Sequence, residues 1–432
     1  RDVDVLLLAD PAELRGDARA NLDRLPGAPP EPFTAERLRG AGAVVDAILG
    51  TGFAGKPRGQ AAQAIAAIDD LDQRAVVIAC DVPSGVDAST GEVAGEVVRA
   101  AATATFHAGK PGLWISPGKQ CAGEVCVVDI GIPAGGPAEP QIGLISDRVT
   151  AQIPRRGVES SKFAAGSVVV CGGSIGLTGA PSLACEAAAR AGAGYVTACV
   201  PASLNVVFET RLLEVMTVPL PDTDGGLASA AADTVLARAQ RADALVLGPG
   251  LGPGPEAQAL ARALAARAQL PVLVDADGLN AHAGHLDELS RRPGPTVLTP
   301  HAGELARLLD TDSATVSRRR LAGVREAAAR AHAVVVLKGD DTLVAEPGGT
   351  CAISRGGASA LATAGTGDVL SGVIGAYLAK GMDPWTAACA GVLVHVRAGR
   401  LSAQRIGPEG VIARDVIESL PAALLAAGAA AG

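Results

Sequence analysis

At 432 residues the chain is long enough to bury two or three cores rather than one. A net charge of -8, with Lys and Arg scattered rather than striped, argues against nucleic acid as a partner, and apolar runs that stop near seven residues argue against a membrane span. Eight cysteines without CxxC metal spacing, several of them in apolar runs (Cys80, Cys171, Cys199, Cys351), exclude a zinc ribbon and point to a reducing, cytoplasmic setting.

The chain opens at Arg1 almost directly on an apolar run, so further sequence upstream is expected. Val3–Leu8 reads as a buried strand, Gly16–Leu25 as a short helix, and Pro26, Pro29 and Pro30 as breakers. Ala43–Leu49 reads as a second strand ending in the loop Gly50–Lys56; a helix over Gln60–Leu71 and a strand over Ala75–Cys80 follow. Alternating strands and helices imply a parallel sheet, with ligands at the loops that follow strand C-terminal ends. Asp46, Asp81 and Ser84 are expected to converge on that edge, where gathered oxygens suit a hard cation or ribose hydroxyls; as isolated turns they would mean nothing. Gly112–Gln120 looks like a phosphate loop but has five residues between its glycines and no Ser or Thr after Lys119, so it reads as a turn.

Cys126–Ile130 closes the first domain and Pro133–Pro140 is a linker, placing the boundary between residues 1–140 and 141–432. A new alternation begins at Ser167–Cys171, leads through Gly172–Ala180 into a helix near Pro181–Ala191, and continues with strands over Asp243–Leu247, Pro271–Asp275, Thr296–Leu298 and Val334–Gly339. Each ends in a Gly-rich or polar loop. Arg318, Arg319 and Arg320 read as a solvated helix face.

The densest signal is Thr363–Gly372, where Gly365, Gly367 and Asp368 stand before an apolar run at helical spacing (Val369, Leu370, Val373, Ile374, Tyr377, Leu378). A glycine-rich turn opening a buried helix exposes backbone N–H groups and the positive end of the helix dipole, a place for phosphate oxygens. Gly172 and Gly173 are expected to bracket the same polyphosphate, Lys338 to add a mobile charge and Thr342 a hydroxyl. Asp368 reads either as a first-turn helix acid or as a proton acceptor beside the reacting phosphate. His301 is open between a structural and a functional role. Asp275 and Asp277 are expected to support the site rather than catalyse.

Asp46–Gly52, Asp81–Asp87 and Phe106–Gly112 resemble the epimerase domain of the NAD(P)H-hydrate repair enzymes. That resemblance implies a partial Rossmann-like domain, potassium near Asp46 and Ser84, and hydrate contacts at Gly50, Thr51, Gly52, Phe53, Ala54, Gly55, Lys56 and Asp81. The family's upstream Asn-Asn-Gly-Gly-Asp loop is absent, so this half reads as truncated or inactive. From about residue 145 to 425, Gly172–Ser174, Gly248–Gly252, Asp275–Asp277, Thr299–Glu304, Lys338–Gly339 and Ala364–Asp368 resemble the ribokinase-like ADP/ATP-dependent NAD(P)H-hydrate dehydratases. Here the resemblance implies nucleotide at Lys338, Gly339, Asp340, Asp341, Thr342 and Gly367, hydrate near Ala180, Gly252, His301 and Asp368, and catalysis by Asp368. ADP with Mg²⁺ is the expected donor, ahead of ATP. Ser160-Ser161-Lys162 departs from the family, which often carries His before the Lys, as does the doubled acid Asp340-Asp341. No coiled coil is legible; a homo-oligomer is the working expectation. Two rival readings stand: a ribokinase-like kinase that stops at the phosphoester, and a nucleotide-binding regulator.

Overall fold

Strands rich in Val, Ile and Ala form two main sheets, one parallel and one mainly parallel, one in each of the units Arg1–Ala138 and Glu139–Gly432 of this computed structural model. The structure describes residues 3–27, 29–71, 75–133, 135–136, 139–157, 162 and 164–429; of the linker, Ala134, Pro137 and Ala138 lie outside the described residues. No described helix is long and apolar enough to cross a membrane.

The first unit holds the strands Ala43–Asp46, Val76–Cys80, Ala102–Phe106 and Glu124–Val128, paired in that order and all parallel. The strand expected over Val3–Leu8 shrinks to Leu6–Leu7, paired only with Glu31–Pro32. A proline in that partner cannot donate to the ladder, which limits its length. The strand expected to reach Leu49 ends at Asp46 because the chain turns inward: Ile48 donates its N–H to the Asp46 carboxylate and Leu49 donates to Ser84 Oγ.

The second unit is built on a ten-stranded sheet. Across it run Met216–Leu220, Tyr195–Pro201, Ser167–Cys171, Ala244–Leu247, Val272–Val274, Thr296–Leu298, Val334–Leu337, Leu343–Ala345, Cys351–Ile353 and Ile142–Leu144. All pairings are parallel except the two made by Leu343–Ala345. Ser167–Cys171 is buried at every position, as are the next four strands toward Val334–Leu337, which explains their unbroken apolar sequence. From Ser167–Cys171 the chain first builds outward one way, through Tyr195–Pro201 and Met216–Leu220, then returns to build the other way from Ala244. Ser167–Cys171 is therefore a topological switch point of the sheet, and the loops after Cys171 and Leu247 meet there.

Helix Thr366–Ala379 lies in the core, with Val369, Val373, Ile374 and Tyr377 wholly buried. It packs against helix Gly179–Arg190 so closely that a Cβ at Gly372 would stand 2.2 Å from the Ala184 carbonyl oxygen. Gly372→Ala is expected to lower stability by about 1–3 kcal/mol, while Gly348→Ala, in open space, stays near neutral; paired thermal melts of the two variants check the difference.

Candidate active site

The turn at Gly365 places the site. Gly365 takes φ +88°, and a Cβ there would meet Leu183 Cδ1 at 2.7 Å, so this residue is glycine both for its backbone and for its packing. It stands at the N-terminus of helix Thr366–Ala379, which no side chain caps. The first-turn amides and the helix dipole thus face the site. Gly367 follows in the first turn, where a Cβ would sit 3.5 Å from Lys338 Nζ, so the ammonium lies beside this turn.

Lys338 emerges one residue past strand Val334–Leu337. Its Nζ meets Asp275 Oδ1 at 2.9 Å and Glu304 Oε2 at 3.7 Å. Burial alone would lower the lysine pKa, but Asp275 and Glu304 outweigh it and hold the group above its ordinary value. The second oxygen of Asp275 accepts a 2.7 Å bond from Ser371 Oγ, one turn into the helix. Both Asp275 oxygens are therefore engaged, in the supporting role its place at a strand end suggested. Asp277 accepts the Gly252 N–H at 2.9 Å and so braces the Gly248–Gly252 loop.

Asp368 is the charged group of the first turn. Burial, then the nearby charge of Asp275, raise its pKa to about 7 against the pull of Lys338; Glu304 and Asp277 add to the rise. A carboxyl poised there exchanges its proton readily at neutral pH, the property wanted of a general base.

Beside this turn lies a cavity of about 300 Å³. Lys338, Gly339, Asp340, Thr342 and Gly367 line it together with Gly357–Ser359, Leu361, Ala362, Thr366, Leu370, Val392, His395 and Val396. Asp341 is not among them: its carboxylate takes Arg320 Nε at 3.0 Å, both groups buried. That pairing also corrects the reading of Arg318–Arg320 as a solvated face, since Arg320 is only 7% exposed. Asp340 accepts the Gly357 N–H at 2.9 Å, and the Thr342 hydroxyl donates to the Gly339 carbonyl at 2.8 Å, closing the turn.

Ala180, Gly252 and His301 stand outside that cavity wall. Ala180 lies against the Gly248–Gly252 loop, where a Cβ on Gly250 would be 3.3 Å from its own. His301 caps helix Ala302–Leu309: its Nδ1 accepts N–H bonds from Gly303 at 3.0 Å and Glu304 at 3.3 Å, and Glu304 returns a bond to the His301 N–H. Nδ1 thereby acts as acceptor, leaving the ring N–H at Nε2 on a half-exposed side chain. The amides of Gly172 and Gly173, expected to bracket phosphate, are spent instead: they donate to Cys199 at 3.3 Å and Pro249 at 3.0 Å. Ser160 and Ser161 lie outside the described residues.

In the first unit, Asp46 is wholly buried and accepts Ser84 N–H at 2.7 Å, Ser84 Oγ–H at 2.6 Å and Ile48 N–H at 3.3 Å. Burial raises its pKa despite these bonds. Asp81 follows the neighbouring strand at φ +71°. Burial would raise its pKa too, but bonds from Lys110, Phe106 N–H and the Thr105 hydroxyl prevail and lower it. Asp46 and Ser84 thus meet directly, whereas Asp81 bonds the loop after Ala102–Phe106. Gly50–Lys56 forms the exposed loop after Asp46, with Phe53 half-buried within it and its N–H on the Gly50 carbonyl at 3.0 Å.

Sequence reasoning missed Glu304 as a partner of Lys338, Ser371 as a partner of Asp275, and His395 in the cavity wall. Glu304 alone had a signal, since it stands three residues after His301, the spacing of a capping box.

The raised Asp368 pKa makes a prediction for stability. Above pH 7 this carboxyl is charged in both folded and unfolded chains, and its burial costs stability; below about pH 4 it is neutral in both. Asp368→Asn is therefore expected to be more stable than the parent at pH 8, by on the order of 2 kcal/mol, with the gain fading as pH falls from 7 to 4. Melting curves across that range test it.

Comparison with known proteins gives the family. The family model for NAD(P)H-hydrate dehydratase matches residues 168–422, and that for the YjeF-related protein N-terminus matches residues 1–112. The bifunctional NAD(P)H-hydrate repair enzyme of Moorella thermoacetica is 40% identical over 97% of this chain and 82% of its own length. The one from Salinibacter ruber is 38% identical over 97% of this chain and 81% of its length. Among solved structures, the ADP/ATP-dependent NAD(P)H-hydrate dehydratase from Bacillus subtilis, co-crystallised with ATP and Mg²⁺, aligns with a TM-score of 0.56 and 27% identity over 66% of this chain and 98% of its own. The chain belongs to the family of bifunctional NAD(P)H-hydrate repair enzymes.

Proposed function

We propose that the chain repairs hydrated nicotinamide nucleotides, and that its second unit dehydrates (S)-NAD(P)H hydrate at the expense of ADP, releasing AMP and phosphate. The observation that carries this reading is Asp368, its pKa raised to about 7, in the first turn of an uncapped helix beside Lys338. Nucleotide occupies the cavity between Lys338–Thr342 and Gly367, with Asp341 holding the segment through Arg320. The hydrate lies on the side of Ala180, Gly252 and His301, whose Nε2 also stands 3.5 Å from Glu304 Oε1.

Asp368 takes the proton of the hydrate's ring hydroxyl. That oxygen forms a bond to the terminal phosphorus as the bond from phosphorus to the AMP oxygen breaks. Phosphate is a far better leaving group than hydroxide; its departure with the C–O bonding pair, and loss of a proton from the adjoining ring carbon, restore the dihydronicotinamide. The first-turn amides and Lys338 stabilise charge on the transferring group.

Mg²⁺ suits this site as an ion carried on the nucleotide. Among the described residues no group of three or more His, Cys, Asp or Glu gathers to hold a metal alone, and Mg²⁺ is commonly bound by phosphates with one or two carboxylates. In the first unit a potassium ion would take oxygens from Asp46 and Ser84. Asp46 fits such an ion because it is wholly buried and the donors described around it are neutral. The loop Gly50–Lys56 and Asp81 would hold the hydrate for (R)/(S) epimerisation. The buried thiols of Cys171, Cys199 and Cys351 suit a reducing cytoplasm, and a homo-oligomer completes the reading, checked by light scattering.

With (S)-NADH hydrate, Mg²⁺ and either ADP or ATP, absorbance at the reduced-nicotinamide band is expected to recover, faster with ADP. The free-enzyme rate constant should rise with pH through about 7 as Asp368 loses its proton. Asp368→Asn should lose about 10²–10⁴-fold in kcat with little change in nucleotide affinity. A stable phosphorylated alcohol in place of NADH would overturn the dehydratase reading. In the first unit, (R)-hydrate is expected to convert faster than it epimerises unaided, and Asp81→Ala to abolish that gain.

A further inference from the structure

Among the described residues, five buried side-chain atoms find no hydrogen-bond partner, and of these His395 Nε2 alone belongs to the wall of the nucleotide cavity. His395 sits on the long helix Pro384–Ile406, on a face otherwise apolar, and is only 7% exposed. A buried polar atom without a partner is costly, and in a ligand cavity it marks a place where the ligand supplies one.

The chemistry of the ring narrows what that partner is. Burial is the main influence on His395 and lowers its pKa to about 4, so the ring is neutral near pH 7; Lys338 acts in the same direction. The Thr366 backbone acts the other way. A neutral ring carries one proton, so Nε2, the unpartnered nitrogen, is either an N–H donor or a lone-pair acceptor. A hydroxyl group serves either form, whereas a phosphate oxygen only accepts and a base amine only donates.

The cavity wall carries anion-binding groups at Thr366, Gly367 and Lys338, and apolar side chains suited to a base at Leu361, Val392 and Val396. In a nucleoside diphosphate the phosphates suit the first and the base the second, and the hydroxyl groups are those of the ribose.

We propose that His395 Nε2 forms a hydrogen bond with a ribose hydroxyl of the bound nucleotide, making His395 a nucleotide-binding residue and the reader of ribose over deoxyribose. This rests on the nucleotide reading of the cavity. It is tested by calorimetric binding of ADP, 2′-deoxy-ADP, 3′-deoxy-ADP and inosine diphosphate to the full chain in the absence of hydrate, so that no turnover is needed.

The parent should bind one of the two deoxy analogues about ten-fold more weakly than ADP. His395→Phe should weaken ADP by a similar factor and erase its preference over that analogue, while the KM for hydrate stays put. His395→Gln, which restores a hydrogen-bonding group, should recover part of the preference; melting curves of both variants establish that they fold. Equal binding of ADP and both deoxy analogues by the parent would overturn the proposal without any variant. A His395-dependent loss confined to inosine diphosphate would also overturn it, placing the base amine at Nε2. If no nucleotide bound the parent at all, the nucleotide reading of the cavity would fall, and with it this inference.

Discussion

The contact on which the second unit's chemistry turns is the ion pair between Lys338 and Asp275. It joins two strand ends at the edge of the sheet, and through Ser371 it is fastened to the helix that Gly365 opens. Asp275, Glu304 and Asp368 are three carboxylates around one ammonium, so the cluster carries more negative than positive charge before any ligand arrives. Lys338 is shared, and each carboxylate beyond the first leaves its neighbours less well compensated. Asp275 keeps the short contact and a hydroxyl bond besides. Asp368 is left with the deficit, and its pKa climbs. Burial raises the Asp368 pKa first, and the charge of Asp275 beside it adds to the rise.

The backbone decides where that cluster can form. The sheet reverses its direction of growth beside Ser167–Cys171, and the loops after Cys171 and Leu247 pack on each other there, with Gly173 N–H on the Pro249 carbonyl and Ser174 Oγ on the Gly250 carbonyl. Those bonds use up amides that might otherwise face a phosphate. They give in return a rigid shelf, braced from Asp277, against which Ala180 is set. The helix at Gly365, by contrast, begins with no side-chain cap on its first-turn amides. One loop supplies shape and the other supplies charge.

How much of this was legible in the sequence follows from which interactions are local. Strands buried on both faces, such as Ser167–Cys171 and Thr296–Leu298, read directly as unbroken apolar runs with a glycine or polar residue after them. The helix at Asp368 was readable because its apolar period and its glycines are adjacent in the chain. Ile142–Leu144, Leu343–Ala345 and Cys351–Ile353 are three residues long and carry little periodicity; only pairing across the sheet makes them strands. Asp341 is placed with the nucleotide segment by the family resemblance alone. Its partner Arg320 is 21 residues away, at the start of helix Arg320–Ala331, beyond any local pattern. The cap that His301 Nδ1 makes on helix Ala302–Leu309 shows only in the fold. His395 had no signal at all, since a histidine among valines on a buried helix is ordinary until its neighbours prove to be a cavity.

Four carboxylates of this chain show how little residue type alone says about role. Asp341 is buried and meets a guanidinium, which fixes a turn. Asp46 is buried and meets neutral donors, so burial prevails and its proton affinity rises. Asp81 has the same strand-end position one strand over but takes an ammonium and two further bonds, and its affinity falls. Asp368 lies among other acids beside a shared lysine and rises furthest of the three shifts, into the neutral range. Burial pushes Asp46, Asp81 and Asp368 the same way; the charge of what each one meets decides the rest. A carboxylate kept reactive in this manner is one whose environment does not satisfy it, so the stability lost at Asp368 above neutral pH and the proton it can accept there are two consequences of the same uncompensated charge.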